Sequence, residues 1–242
     1  MCSSDLVTNY LRERFDKDKI YLIGHSWGSL IGLKTIKNAP ELYHAYIGMA
    51  QISNQLLSEK IAYSYMLEQY KLNGNKKMVR KFEKHNMLSL DYMPMKYVKF
   101  RDKPMHELGI GTMRDMKSVI NGIFFPVMNF SEYTFSEKLK LWKANSMLLK
   151  KTNLWDTMIQ CNLFDEIKTV EIPIYFLHGI YDYTVNYSLA KEYYQQITAP
   201  MKGFYTFEKS AHSPIFEEPD KFIKILREDV LFGKNELSDR DI

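Results

Sequence analysis

Long apolar runs, paired cysteines and an excess of either charge are all missing from this chain. No stretch approaches the roughly 18–20 consecutive apolar residues that cross a bilayer, so a membrane helix is not expected. The opening residues, Met1-Cys2-Ser3-Ser4-Asp5, lack the basic and apolar regions of a secretory signal. There are 2 cysteines, Cys2 and Cys161, far apart and without metal-ligand spacing. That argues against a disulfide scaffold and points to a reducing cytoplasm. With 33 basic and 29 acidic residues the formal charge is +4, too small an excess to imply nucleic acid or an anionic membrane as a partner. Clusters such as Lys76-Lys77 with Arg80-Lys81 read as solvated helix faces. No His/Asp/Glu cluster has metal spacing, and no glycine-rich phosphate loop occurs. What remains is 242 residues, 45% hydrophobic and 26% charged, enough for one α/β domain carrying an insertion.

The order of apolar patterns is informative. From Ser4 to Phe15, Leu6, Val7, Tyr10, Leu11 and Phe15 share one face at helical spacing. Lys19–Ile23 is too short for a helix and reads as a buried strand. Leu30, Ile31, Leu33 and Ile36 then resume helical spacing until Asn38 and Pro40 stop it. Ala45–Ala50 is again of strand length. Helix, strand, helix, strand predicts a parallel sheet. From about Ser53 to Asp165 the chain is Met- and Tyr-rich and helical in pattern. Such an insertion between strand-bearing segments predicts a lid over a site. Strands return at Ile172–Leu177 and Gly203–Phe207 with a helix between them. Pro219 opens a last helix carrying Phe222, Ile225, Leu226 and Val230. The polar tail beyond Gly233 is expected to fray. Three segments follow: residues 1–52 and 166–242 as two parts of one core, and 53–165 as the helical insertion.

A serine hydroxyl attacks poorly at neutral pH unless a base takes its proton and the backbone presents it to substrate. Gly24-His25-Ser26-Trp27-Gly28, placed between a strand and a helix, has the pattern that does the presenting. Its strained turn is expected to exclude side chains at Gly24 and Gly28. Ser26 would then sit at a helix N-terminus, where free N–H groups stabilise a developing oxyanion. The base and its orienting acid should follow in the order Asp, His. Asp182 lies just past the strand ending at Leu177, and His212 just past the strand ending at Phe207. Both are at carboxyl ends of strands, where open α/β sheets gather reactive groups. Asp165 competes for the acid and His178 for the base, but Asp182 and His212 have the better positions. His178 and His25 read as structural, whereas His44, His85 and His106 read as surface.

Gly-His-Ser-Trp-Gly, the Asp after His178-Gly179, the Ala-His-Ser-Pro segment at 211–214 and the helical insertion resemble the α/β-hydrolase fold superfamily. Its lidded proline iminopeptidase-like and esterase-like members are the most similar. The resemblance implies an α/β-hydrolase fold, a mostly parallel sheet flanked by helices with an all-helical lid insertion. It also implies catalysis by Ser26, Asp182 and His212 through an acyl-enzyme, with the Trp27 backbone N–H as an oxyanion donor and no metal or organic cofactor. The substrate would be a small-molecule ester, amide or peptide. Against the superfamily pattern Ser26 comes early. The expectation is that N-terminal strands are missing, that a second oxyanion donor is lost with them, and that the elbow strand forms an exposed edge open to self-association. A truncated or non-catalytic binding protein of the same fold is the alternative.

Overall fold

The computed structural model describes residues 3–240, apart from the side chains of 3–4 and 145–151; Cys2 lies outside the described residues. Among them, four parallel strands form one sheet in the order β1-β2-β3-β4. The strands are β1 (Ile20–His25), β2 (Tyr43–Met49), β3 (Ile174–Gly179) and β4 (Lys202–Phe207). Helices α1 (Ser3–Phe15) and α2 (Trp27–Asn38) flank β1 in sequence, and α10 (Tyr187–Gln196) joins β3 to β4. Among the described residues, no helix is long and apolar enough to cross a membrane.

Strands buried on both faces need apolar side chains at consecutive positions, and β2 and β3 have them. Tyr46, Ile174, Phe176 and Phe204 point to one face, where they join Leu30, Leu33 and Ile36 of α2. Ala45, Ile47, Met49, Tyr175, Leu177, Tyr205 and Phe207 point to the other, under Phe222 and Ile225 of α12 (Pro219–Glu228). Helix, sheet and helix therefore make three layers.

Between β2 and β3 the regular structure is helical among the described residues. It comprises α3 (Gln55–Leu72), α4 (Lys76–Lys84), α5 (Met95–Glu107), a π turn (Ile120–Phe124), α6 (Phe125–Asn129), α7 (Phe135–Lys151), α8 (Leu154–Ile159) and α9 (Leu163–Glu166). Its ends meet: Asn54 and Asn162 form an antiparallel bridge, and Leu163 N–H donates to Ser53 O at 2.7 Å. Inside it, Tyr63, Met66, Phe82, Met87, Tyr97 and Met105 are buried, so the aromatic and Met content packs the insertion itself. A buried ion pair joins α3 to α5, with Arg101 Nη2 2.6 Å from Glu59 Oε1 and Arg101 Nε 2.8 Å from Oε2.

Several expectations change. The apolar stripe of α1 faces outward, with Leu6, Val7, Tyr10 and Phe15 exposed, while Thr8 is buried and shares a hydrogen bond with Tyr43. The physical reason is β1, which stands at the sheet edge with Tyr21 and Ile23 exposed and offers α1 no further strand to pack across. Through Arg240 the tail is anchored rather than frayed; residues 241–242 lie outside the described residues. Asp239 N–H donates to Phe204 O at 2.9 Å, and Asp239 Oδ2 accepts Thr206 N–H at 2.9 Å, so the polar tail covers the β4 edge. Buried Asp229 anchors it by accepting the N–H groups of Glu236 and Leu237. His106 is buried rather than superficial, between Asp102 O and Thr112 Oγ1.

Removing one member of a buried ion pair strands the other, which typically costs about 3–5 kcal/mol. Arg101→Met is therefore expected to lower unfolding free energy in urea by about that much, and Glu59→Met combined with it to recover most of the loss.

Candidate active site

Ser26 follows β1 directly and has φ 57° and ψ −121°, a strained left-hand conformation for a residue with a side chain. The strain is held from both sides. Ser26 N–H donates to Met49 O at 3.0 Å, and Ser29 Oγ donates to Ser26 O at 2.5 Å while accepting Ile52 N–H at 2.9 Å. Behind Ser29, the buried Tyr46 hydroxyl lies 2.8 Å from Ser29 O and 2.7 Å from Gln51 Oε1. A Cβ on Gly24 would overlap the Gly28 carbonyl and come within 2.8 Å of Ser29 Cα, so Gly24 is required. Gly28 is different: a Cβ there meets nothing within 4 Å, and the expected crowding is absent among the described residues. Trp27 N–H is the first of α2, with no helical carbonyl four residues behind it to bond.

Asp182 lies in the turn after β3 and is fully buried. Its Oδ1 accepts the N–H groups of Thr184 and Val185, both at 2.9 Å. Its Oδ2 faces His212 Nδ1 at 2.9 Å and His178 Nε2 at 3.2 Å. Burial alone would raise this carboxyl's pKa, but the adjacent His212 and the hydrogen bonds from His178 and His212 outweigh it and hold it well below the usual carboxylate range. His178 Nε2–H also reaches Val185 O at 2.9 Å, and its buried Nδ1 has no hydrogen-bond partner among the described residues. His178 thus braces the Asp182 carboxylate and the turn that carries it.

The Asp182 and His212 loops touch through backbone. Tyr181 N–H donates to Ser210 O at 3.2 Å, and a Cβ on Gly179 would overlap the Ser210 and Ala211 carbonyls. Glycine at 179 is what lets the His212 loop lie across the end of β3. His25 docks the same loop onto the serine turn, with its Nε2 2.7 Å from His212 O and the two rings 4.9 Å apart. Burial, reinforced by His212 nearby, lowers the His25 pKa, so near neutral pH it is the uncharged donor to that carbonyl. Among the described residues Ser26 Oγ makes no hydrogen bond, whereas Asp182 and His212 are paired.

Of the residues singled out in sequence, Asp182 and His212 are in direct contact, and Ser26 with Trp27 lies beside them through His25. Asp165 is elsewhere, bonded to Asn162. Sequence reading missed the supporting roles of Ser29, Tyr46, Gln51 and Gly179, and of Glu217, described below. Only Gly179, next to His178 at a strand end, left any local signal. Beside the His212 loop lies a cavity of about 570 Å³, between Met113–Met116 of the insertion and Lys209, Phe216 and Glu217.

This arrangement has known relatives. The family described as alpha/beta hydrolase fold matches residues 3–219. The chain belongs to that family. A Bacillus subtilis (strain 168) protein named as a probable aminopeptidase, YbaC, is 29% identical over 229 residues, covering 91% of this chain and 68% of that protein. A Mycoplasma genitalium protein named as an esterase/lipase is 29% identical over 103 residues, covering 41% of this chain and 38% of its own length. Among solved structures, the proline iminopeptidase of Mycobacterium smegmatis superposes with TM-score 0.60 at 13% identity, over 89% of this chain and 66% of that one. At that identity the likeness is one of fold. The chain thus spans about two thirds of the length of the Bacillus and Mycobacterium proteins and 38% of the Mycoplasma one.

Two measurements test the geometry. Gly179→Ala forces the His212 loop off β3 and is expected to cost about 1–3 kcal/mol, read as a lowered urea midpoint. Asp182→Asn is expected to cost on the order of 2–3 kcal/mol at pH 7. Because the folded-state pKa lies below the ordinary 3.8, this stabilisation is complete above about pH 4 and fades only as pH falls further. The gap in thermal midpoint between wild type and Asp182→Asn should therefore be flat from pH 8 to 5 and shrink in stronger acid.

Proposed function

We propose that the chain is a serine hydrolase acting on an ester, amide or amino-terminal peptide bond through an acyl-enzyme. The observation that carries this reading is the Asp182–His212 pair at 2.9 Å, docked by His25 onto a serine held at φ 57°. Ser26 Oγ attacks the acyl carbon while His212 Nε2 takes its proton. Asp182 fixes His212 with Nδ1 as donor and stabilises the imidazolium. The Trp27 N–H, at the start of α2, meets the oxyanion. His212 then returns the proton to the leaving group, and water repeats the sequence to free the acid and Ser26. No metal or organic cofactor enters this scheme. The helical insertion acts as a lid, and residues 113–116 wall the cavity on its side. The names carried by the relatives, an aminopeptidase and an esterase/lipase, agree with acyl transfer and leave both bond types within the proposal.

Covalent labelling by a fluorophosphonate tests it. Wild type should take up one label, Ser26→Ala none, and His212→Ala should react about 10³–10⁴-fold more slowly. A folded, monodisperse sample that takes up no label would select a non-catalytic binding protein of the same fold instead.

A further inference from the structure

Glu217 is a half-buried carboxylate outside the group of residues that would do chemistry. It ends α11 (Pro214–Glu217), the short helix directly after His212. Its two oxygens go in two directions. Oε2 accepts Ala211 N–H at 2.9 Å, the residue just before the base, and Oε1 accepts Arg114 N–H at 2.6 Å, from the insertion. A backbone donor bound to each oxygen of one carboxylate makes a charge-assisted bridge, stronger than neutral hydrogen bonds at the same distances.

The bridge does not stand alone. His212 N–H donates to Gly111 O at 3.3 Å, and Tyr183 N–H, beside the acid, donates to Ile110 O at 3.2 Å. The Arg114 guanidinium lies over the Tyr181 ring at 3.4 Å. Residues 110–114 are therefore a strap laid across both the Asp182 turn and the His212 loop. The strap is rooted in α5 through Gly109, at φ 66°, and through His106, whose ring packs beneath Gly111. The neighbouring Glu218 provides contrast. Its Oε2 accepts Lys209 N–H at 3.0 Å and the Ser210 hydroxyl at 2.6 Å, so it stiffens the His212 loop and, among the described residues, bonds to nothing in the insertion.

We propose that Glu217 is a positioning residue for His212, a carboxylate latch that makes the placement of the base depend on the insertion strap 110–114 being seated. The inference rests on His212 being the base, but the latch itself is a statement about two backbone segments. Losing the latch would let strap and loop move apart together, lowering the rate of the chemical step more than the affinity for a small reagent.

Glu217→Gln tests it, with Glu218→Gln as comparison. Hydrogen–deuterium exchange should rise by about tenfold in both 109–116 and 209–213 for Glu217→Gln, and only in 209–213 for Glu218→Gln. For fluorophosphonate labelling, Glu217→Gln should lower the maximal rate constant about tenfold and change the half-saturating concentration less than about twofold. Unchanged exchange in 109–116, or a loss of labelling that merely tracks the unfolded fraction in circular dichroism, would overturn the latch. Should wild type take up no label, the catalytic reading fails, while the exchange pattern still decides the latch: a joint rise supports it and no rise overturns it. If Glu217→Gln does not fold, Glu217→Asp keeps the charge but is one methylene too short to span both donors. The same exchange criteria apply to it.

Discussion

A fully buried carboxylate is costly unless every lone pair is met, and the carboxyl edge of this sheet is arranged around meeting those of Asp182. Two backbone N–H groups of its own turn and two histidines surround it. Supplying those partners determines much else. The turn must double back to present Thr184 and Val185. β3 must place His178 beneath the carboxylate. The loop after β4 must cross β3 to bring His212 alongside, which Gly179 makes sterically possible. His25 then joins that loop to the serine turn by a hydrogen bond that involves neither of the proposed reactive side chains. Ser26, Asp182 and His212, each following a different strand, are thus referred to one electrostatic centre.

The helical insertion is tied into the same centre rather than merely lying over it. Gln55 Nε2 donates to Thr184 O at 2.9 Å, and Ser58 Oγ accepts Asn186 N–H at 2.7 Å, so α3 grips the far side of the Asp182 turn. The Glu59–Arg101 pair passes that hold to α5, and the strap after α5 reaches the His212 loop. Each tie is a hydrogen bond or ion pair of modest net worth. Their common effect is geometric: the Asp182 and His212 turns are clasped from the insertion side as well as from the sheet.

Much of this was readable from residue order. The Gly-x-Ser-x-Gly pattern sat between an apolar run and a helical one, and Asp182 and His212 each followed a strand-length run. These are local features, and local rules of spacing find them. The errors were of another kind. The α1 stripe was periodic, yet Leu6, Val7 and Phe15 face outward, because what a stripe packs against is not encoded in the stripe. Gly28 looked as constrained as Gly24, but crowding depends on which backbone passes nearby. The polar tail looked unanchored because its partners, Phe204 and Thr206, lie more than thirty residues earlier.

The sequence by itself determined the strand and helix rhythm, the serine turn, and Asp182 and His212 as the candidates that follow the last two strands. Those follow from periodicity and from which residue types tolerate strain or carry a titratable group. Only the tertiary structure decided what supports them: His178 against Asp182, His25 against His212, Tyr46 and Gln51 behind the elbow, and Glu217 between the base loop and the insertion. The physical reason is that hydrogen-bond partners of buried groups are chosen by proximity in space. Residues as far apart as Arg114 and Glu217 become neighbours only after the layers have packed.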